Sequence, residues 1–177
     1  MSAAATAEDL KKSVRDVPDF PKKGIGFKDI TPLLGDPKAF RAMTELLAER
    51  YAGKGITKVA AVESRGFLIA AALAARLGAG VVPIRKKGKL PYKTISASYE
   101  LEYGTDTLEI HVDAAKPGDV VLLADDVIAT GGTAKASCEL IEKLGAKVGG
   151  VCFLIELEFL KGRAKLPGRE VFSLIKY

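Results

Sequence analysis

Histidine occurs once and cysteine twice in this 177-residue chain, and it has no long uncharged apolar run. Each scarcity removes a class of protein. The single histidine, His111, has no nucleophile to pair with and is read as structural. Cys138 and Cys152 cannot form a disulfide framework or a metal-ligand set, and read as small buried hydrophobes in a reducing compartment. The longest uncharged apolar stretch near the middle, Gly66 to Ala75, is bracketed by Arg65 and Arg76 and is too short to span a bilayer. The N-terminal Met-Ser-Ala-Ala-Ala-Thr-Ala-Glu-Asp lacks the basic region and apolar core of a signal peptide. No internal repeat or low-complexity linker occurs. A cytoplasmic protein without membrane contact is expected.

What is present describes one ordinary domain. Hydrophobic residues make up 48% and charged residues 28%, enough for a real core and unlike a disordered chain. The formal charge of +5 suits an anionic ligand but is too mild to argue for nucleic acid.

One stretch organises the rest, Val120-Val121-Leu122-Leu123-Ala124-Asp125-Asp126-Val127-Ile128-Ala129-Thr130-Gly131-Gly132-Thr133. Its uncharged opening reads as a strand buried on both faces, launched by Pro117-Gly118-Asp119 and ending where the two carboxylates begin. Ala134 to Leu144 reads as a helix with Ala136, Leu140, Ile141 and Leu144 on one side and Gly145 as its C-terminal cap. Between them, Gly131 and Gly132 let the backbone turn tightly, so that amides at a helix N-terminus converge on an anion. Thr130 and Thr133 add hydroxyl donors for a phosphate. Ionised Asp125 and Asp126 only accept hydrogen bonds; they suit the hydroxyls of a sugar, or water around a magnesium ion. The plainer alternative is a capped helix with solvated aspartates. A Walker A loop is excluded because no lysine follows Gly132, and three spaced glycines for a dinucleotide are missing.

Taken in order, residues 7–17 predict a short amphipathic helix carrying Leu10, Val14 and Val17, broken by Pro18, Pro21 and Gly24. Asp36 and Pro37 open a helix that runs to about Tyr51. Residues 58–62 predict a buried strand, 67–77 a helix closing at Gly78, and 80–85 a second strand. Strand, helix and strand at this spacing give a right-handed crossover and a parallel sheet. Ligands of such sheets bind beyond the carboxyl ends of the strands. Glu63-Ser64-Arg65 and Asp125-Asp126 both fall there and should line one crevice. Arg65 offers a fixed fork for a diphosphate, or else a salt bridge to Glu63. Residues 85–93 hold five basic residues, including Arg85 and Lys89, leaving a strand beside the same crevice. The polar excursion over about 86–107 predicts a lid, part of it a hairpin because residues 107–112 alternate like a strand. Residues 147–157 read as a buried strand, Lys161-Gly162-Arg163 as a surface turn, and 171–175 as a last strand.

The central stretch resembles the phosphoribosyl-diphosphate motif of type I phosphoribosyltransferases. Pro18-Asp19-Phe20-Pro21, Phe27-Lys28-Asp29-Ile30-Thr31-Pro32, Glu63-Ser64-Arg65-Gly66-Phe67, Ile84-Arg85-Lys86-Lys87-Gly88-Lys89-Leu90-Pro91, Ser98-Tyr99-Glu100-Leu101-Glu102-Tyr103-Gly104 and the ending Phe172-Ser173-Leu174 narrow the resemblance to adenine phosphoribosyltransferases. It covers about residues 14–177 in consistent order. It implies a single α/β domain: a twisted, mainly parallel sheet flanked by helices, an N-terminal hood over about 1–35 and the lid over about 86–107. It also implies a cytosolic homodimer that converts adenine and 5-phosphoribosyl 1-diphosphate to AMP and diphosphate with Mg2+.

By the same resemblance, Ala129, Thr130, Gly131, Gly132 and Thr133 form the 5′-phosphate loop, with Asp125 and Asp126 at the ribose hydroxyls. Magnesium is held mainly by the substrate, with water-mediated help from Asp125. Arg65 binds diphosphate, and Arg85 and Lys89 reach it in their own or a neighbouring subunit's site. Phe27 stacks on adenine, with backbone near Ile25 and Gly26 reading the base edge. Gly26 departs from the family, which commonly has a branched apolar residue there. Glu102 resembles the lid glutamate that exchanges a proton with the purine, and Tyr103 is its neighbour. Hypoxanthine–guanine enzymes carry an aspartate where this chain has Ala129, and alanine cannot take a proton. The rival readings are a phosphoribosyltransferase for another base, and a non-catalytic regulator with the same fold. The second lacks any long basic helix or room for a DNA-binding segment.

Overall fold

The computed structural model describes residues 6–101 and 104–177. Thr6 opens α1 (Ala7–Lys11): its hydroxyl accepts from the Asp9 amide at 3.3 Å, and the Asp9 carboxylate accepts from the Thr6 amide at 3.2 Å. The helix stops there instead of continuing to Val17. Arg15–Val17 forms β1, paired antiparallel with β2 (Phe27–Asp29), so this local pairing overrides the weak helical pattern. The Asp29 carboxylate accepts from the amide and hydroxyl of Thr31, both at 2.9 Å, and starts α2 (Thr31–Gly35), a helix absent from the sequence reading. Asp36 caps α3 (Pro37–Tyr51) as expected, accepting from the Lys38 amide at 2.7 Å.

The central layer begins with β3 (Lys58–Val62), α4 (Arg65–Leu77) and β4 (Gly80–Lys86), with β3 and β4 parallel. Helix α4 starts at Arg65, two residues earlier than predicted. From Thr94 onward the lid excursion pairs as an antiparallel hairpin, β5 (Thr94–Leu101) with β6 (Gly104–His111). Then come β7 (Val120–Ile128), α5 (Gly132–Lys143), β8 (Lys147–Glu156) and β9 (Val171–Lys176). The seven-stranded sheet has the order β5-β6-β4-β3-β7-β8-β9, parallel from β4 to β9, with the hairpin antiparallel on one edge. This is the expected α/β domain with a mainly parallel sheet flanked by helices.

Strand β7 is buried on both faces, as its sequence predicted. Leu122 and Ala124 pack with Leu47 and Tyr51 of α3 and Leu73 of α4; Val121 and Leu123 pack with Cys138, Leu140 and Ile141 of α5. Each fully buried leucine of this kind contributes roughly 1.5–3 kcal/mol. The strand does not end at the acids: Asp125 pairs with Phe153 and Ile128 with Glu156, so the ladder with β8 carries it four residues past Ala124. Both cysteines are free and buried; burial pushes the Cys138 thiol up to about 11 and the Cys152 thiol upward as well. Among the described residues no helix is long and apolar enough to cross a membrane.

Candidate active site

The carboxyl ends of β3, β4 and β7 meet where the sequence placed the crevice. After β7 the chain turns through Ala129, Thr130 and Gly131, and no side chain caps α5. The first-turn amides of the helix are therefore open to a ligand. Gly131 has φ of 78°, a left-handed conformation that glycine adopts at little cost. Asp125, Ala129, Thr130, Gly131 and Thr133 line a recess of about 90 Å³. Gly132 faces a second groove instead, one it shares with Tyr99 and Lys165.

The two aspartates differ in environment. The Asp125 Oδ1 accepts from the Asp126 amide at 2.9 Å and lies 2.5 Å from where a Cβ on Gly66 would sit. The glycine after Arg65 is thus a spatial requirement of Asp125. Burial, and then the neighbouring charge of Asp126, push the Asp125 carboxyl well above the ordinary aspartate value. Asp126 is 7% exposed, and its Oδ2 lies 2.5 Å from Nε of Arg65 without the alignment of a hydrogen bond. The same guanidinium covers the Phe27 ring at 4.9 Å, and Phe20 meets that ring edge-on at 5.1 Å. Arg65 therefore bridges the acidic pair and the aromatic shelf, and does not pair with Glu63.

The state of Asp125 leads to a pH prediction. Its proton is held more tightly in the folded than in the unfolded chain, so the resulting stability is present at low pH. It is lost as pH rises from 3.8, the ordinary value, through the raised folded one. Ligand-free Asp125→Asn is expected to melt roughly 2–4 °C above the parent at pH 8, the shift of about 1 kcal/mol in a domain this size. That advantage should shrink towards pH 4.5 in calorimetric scans. A gap that widens on acidification contradicts the assignment.

Glu63 gathers and orients the basic run. Its Oε1 accepts from the Lys86 amide at 2.7 Å, and its Oε2 from Arg85 at 3.2 Å and Lys89 at 3.3 Å. Burial acts against its ionisation, but these donors hold the carboxyl below its usual value. The basic run is thus tied to the crevice by an acid at the end of β3. Lys86 is also anchored, 3.0 Å from Asp106 of the lid hairpin, and Asp106 accepts from Tyr99 at 3.3 Å.

Of the other predicted residues, Ile25 and Gly26 are exposed beside the Phe20–Phe27 pair, and a Cβ on Gly26 would meet nothing within 4 Å. A side chain would fit there. Glu102 and Tyr103 lie outside the described residues, between Leu101 and Gly104, which pair with each other. His111 accepts from the Tyr92 amide at 3.4 Å, in keeping with a structural role. Sequence reasoning missed the Asp106 and Tyr99 links, which depend on the hairpin register, and the spatial role of Gly66, which depends on Asp125 far away in the chain.

Residues 30–172 match the phosphoribosyl transferase domain. Over 170 residues the chain is 59% identical to the adenine phosphoribosyltransferase of Syntrophotalea carbinolica, covering 96% of this chain and 99% of that protein. The chain belongs to the adenine phosphoribosyltransferase family. Within that family, the crystal structure of the Thermoanaerobacter pseudethanolicus enzyme superposes with a TM-score of 0.94 at 56% identity, over 97% of this chain and 100% of that one. The Saccharomyces cerevisiae enzyme, complexed with D-2,5-dideoxy-2,5-imino-altritol 1,6-bisphosphate and adenine, superposes at 0.90 with 43% identity, over 95% and 97% of the two chains. The chain is accordingly an enzyme of the phosphoribosyltransferase class.

Proposed function

We propose that this chain transfers the phosphoribosyl group of 5-phosphoribosyl 1-diphosphate to adenine, giving AMP and diphosphate, at the crevice around β7. The observation that carries the reading is the uncapped turn Ala129–Thr133 opening beside Asp125 and Asp126, with Arg65 joining that pair to Phe27. In this reading the turn holds the 5′-phosphate through main-chain amides and the hydroxyls of Thr130 and Thr133. The acids receive ribose hydroxyls. Arg65 then exchanges Asp126 for the diphosphate, which also uncovers the Phe27 face for the base.

The chemistry follows from these positions. Adenine, held on Phe27 and read by backbone near Ile25 and Gly26, attacks the anomeric carbon opposite the departing diphosphate, so the configuration inverts. Arg65, with Arg85 and Lys89 released from Glu63, stabilises the negative charge that develops on the leaving group. A closed lid excludes the water that would otherwise capture the sugar cation. Ala129 cannot exchange a proton. Asp126 and Glu63 are each engaged by cations and Asp125 accepts from the Asp126 amide at the ribose end of the crevice, which supports Glu102 as the proton-exchanging group.

Magnesium fits the donor set. Once Arg65 leaves Asp126 for the diphosphate, the adjacent acids offer hard oxygen acceptors to water around the ion. Two carboxylates are too few for an all-protein cage, so substrate oxygens supply the rest. When bound, the ion offsets the charge of the diphosphate. A homodimer is supported by an apolar recess of about 360 Å³ lined by Leu34, Phe40, Leu68, Ala71 and Ala72, in which Leu68 is 52% exposed. Two free buried cysteines support a reducing, cytoplasmic location.

The test is direct. With magnesium, 5-phosphoribosyl 1-diphosphate and single bases, the protein is expected to form AMP from adenine and no nucleotide at a comparable rate from hypoxanthine, guanine, xanthine or orotate. Preference for another base, or no nucleotide at all, refutes the reading.

A further inference from the structure

The segment Lys161-Gly162-Arg163, which the sequence presents as a surface turn, is anchored beneath the turn that follows β7. Gly162 is buried. The three heavy atoms nearest to a Cβ built on Gly131 all belong to Gly162, and the overlap with its carbonyl oxygen is severe. The converse also holds: a Cβ on Gly162 would overlap the Ala129 carbonyl oxygen, stand 2.8 Å from Cγ1 of Ile128 and 3.1 Å from the amide nitrogen of Gly131. Two stretches of bare backbone, about thirty residues apart in sequence, therefore lie in direct contact.

Arg163 holds this contact in place. Its guanidinium donates to both carboxylate oxygens of Glu156 at 2.6 Å, to the Val171 carbonyl at 2.6 Å and to the Ser173 hydroxyl at 3.2 Å. Glu156 and Ser173 are 5% and 7% exposed, so the fork is fixed at its far end by β8 and β9. The Leu157 amide donates to the Ile128 carbonyl at 3.0 Å and ties the start of the same connection to the end of β7. The turn itself has few restraints of its own, since no side chain caps α5 and Thr130 is exposed.

We propose that Gly162, held by Arg163, is a positioning residue: its backbone is the outer wall that keeps residues 129–133 in the conformation that receives the 5′-phosphate. The inference rests on the reading of that turn as the phosphate site. Neither residue touches the reacting atoms. Their effect is on binding, because amides that converge on one point lose their advantage when displaced by a fraction of an ångström.

The experiment compares Gly162→Ala, Arg163→Lys and Thr133→Ala. AMP affinity is read by calorimetry, and KM and kcat by steady-state kinetics. Gly162→Ala is expected to weaken AMP binding and raise the KM for 5-phosphoribosyl 1-diphosphate on the order of tenfold to 100-fold, while kcat at saturation changes far less. Arg163→Lys, which keeps the charge but loses the fork, should move the same quantities in the same direction by a smaller factor. Wild-type AMP affinity in Gly162→Ala overturns the proposal. Thr133→Ala separates the two readings. If it too binds AMP normally, the phosphate assignment fails; if it binds weakly while Gly162→Ala does not, only the wall fails. Should Gly162→Ala not fold, amide exchange in the unmodified enzyme decides. Added AMP is expected to slow exchange over residues 162–166 about fivefold more than over α3. Equal slowing in the two segments overturns the proposal.

Discussion

Replacing Glu102 with leucine is expected to lower kcat on the order of 100-fold or more, with little change in the KM for 5-phosphoribosyl 1-diphosphate. The expectation comes from the occupation of the other acids. Asp126 is paired with Arg65, Glu63 collects Arg85 and Lys89, and Asp125 is packed against Gly66. Ala129 has no titratable group. Exclusion of water favours the neutral form of a carboxyl, which suits proton exchange with a purine nitrogen. Leucine keeps the bulk and removes the exchange. The variant should therefore also lose the limb of the kcat–pH profile that belongs to that group. A kcat within about threefold of the parent would remove Glu102 from the role.

Arg65→Ala has the second large effect, and it acts on affinity. Charge-assisted hydrogen bonds contribute roughly 1.5–3 kcal/mol, so binding of 5-phosphoribosyl 1-diphosphate should weaken about 10- to 100-fold. A smaller cost falls on the empty enzyme, because Asp126 loses its cation. Arg65 is 37% exposed, so water can replace the guanidinium; the loss is on the order of 1 kcal/mol, well below the roughly 3–5 kcal/mol of a fully buried pair. The Phe27 face is also left bare, so adenine alone should bind the variant at least as well as it binds the parent. Arg65→Lys should recover part of the stability but little of the affinity, since a point charge cannot reproduce the fork. Calorimetry showing unchanged binding of 5-phosphoribosyl 1-diphosphate contradicts the assignment.

The parts of this architecture that were legible in the sequence are those encoded locally. Strand β7, the glycine turn and α5 could be read because a buried strand, a turn and an amphipathic helix each carry their pattern within a dozen residues. Asp36 and Pro37 announced α3 in the same way. Readings failed where a partner distant in sequence decides. Asp125 and Asp126 look like the end of a strand, yet the β8 ladder carries the strand through them. Val14 and Val17 share a helical face with Leu10, but Arg15–Val17 pairs with β2. The polar residues of β5 hide a strand that only its register with β6 reveals. Nothing in Lys161-Gly162-Arg163 points to Glu156 or to the turn it supports. The crevice was legible as a set of residues, but the internal pairing of Arg65 with Asp126 and of Glu63 with the basic run was not.

That pairing bears on which anions the empty enzyme admits. Arg65, Arg85 and Lys89 are already paired with two acids of the same chain, Asp126 and Glu63, so an incoming diphosphate must replace those acids. Chloride or a lone phosphate at the diphosphate end brings too little charge to dislodge both carboxylates at once. A donor with phosphate at one end, diphosphate at the other and hydroxyls between them exchanges every partner in a single event. Discrimination against small anions at the diphosphate end is thus a consequence of these three cations being engaged before the ligand arrives.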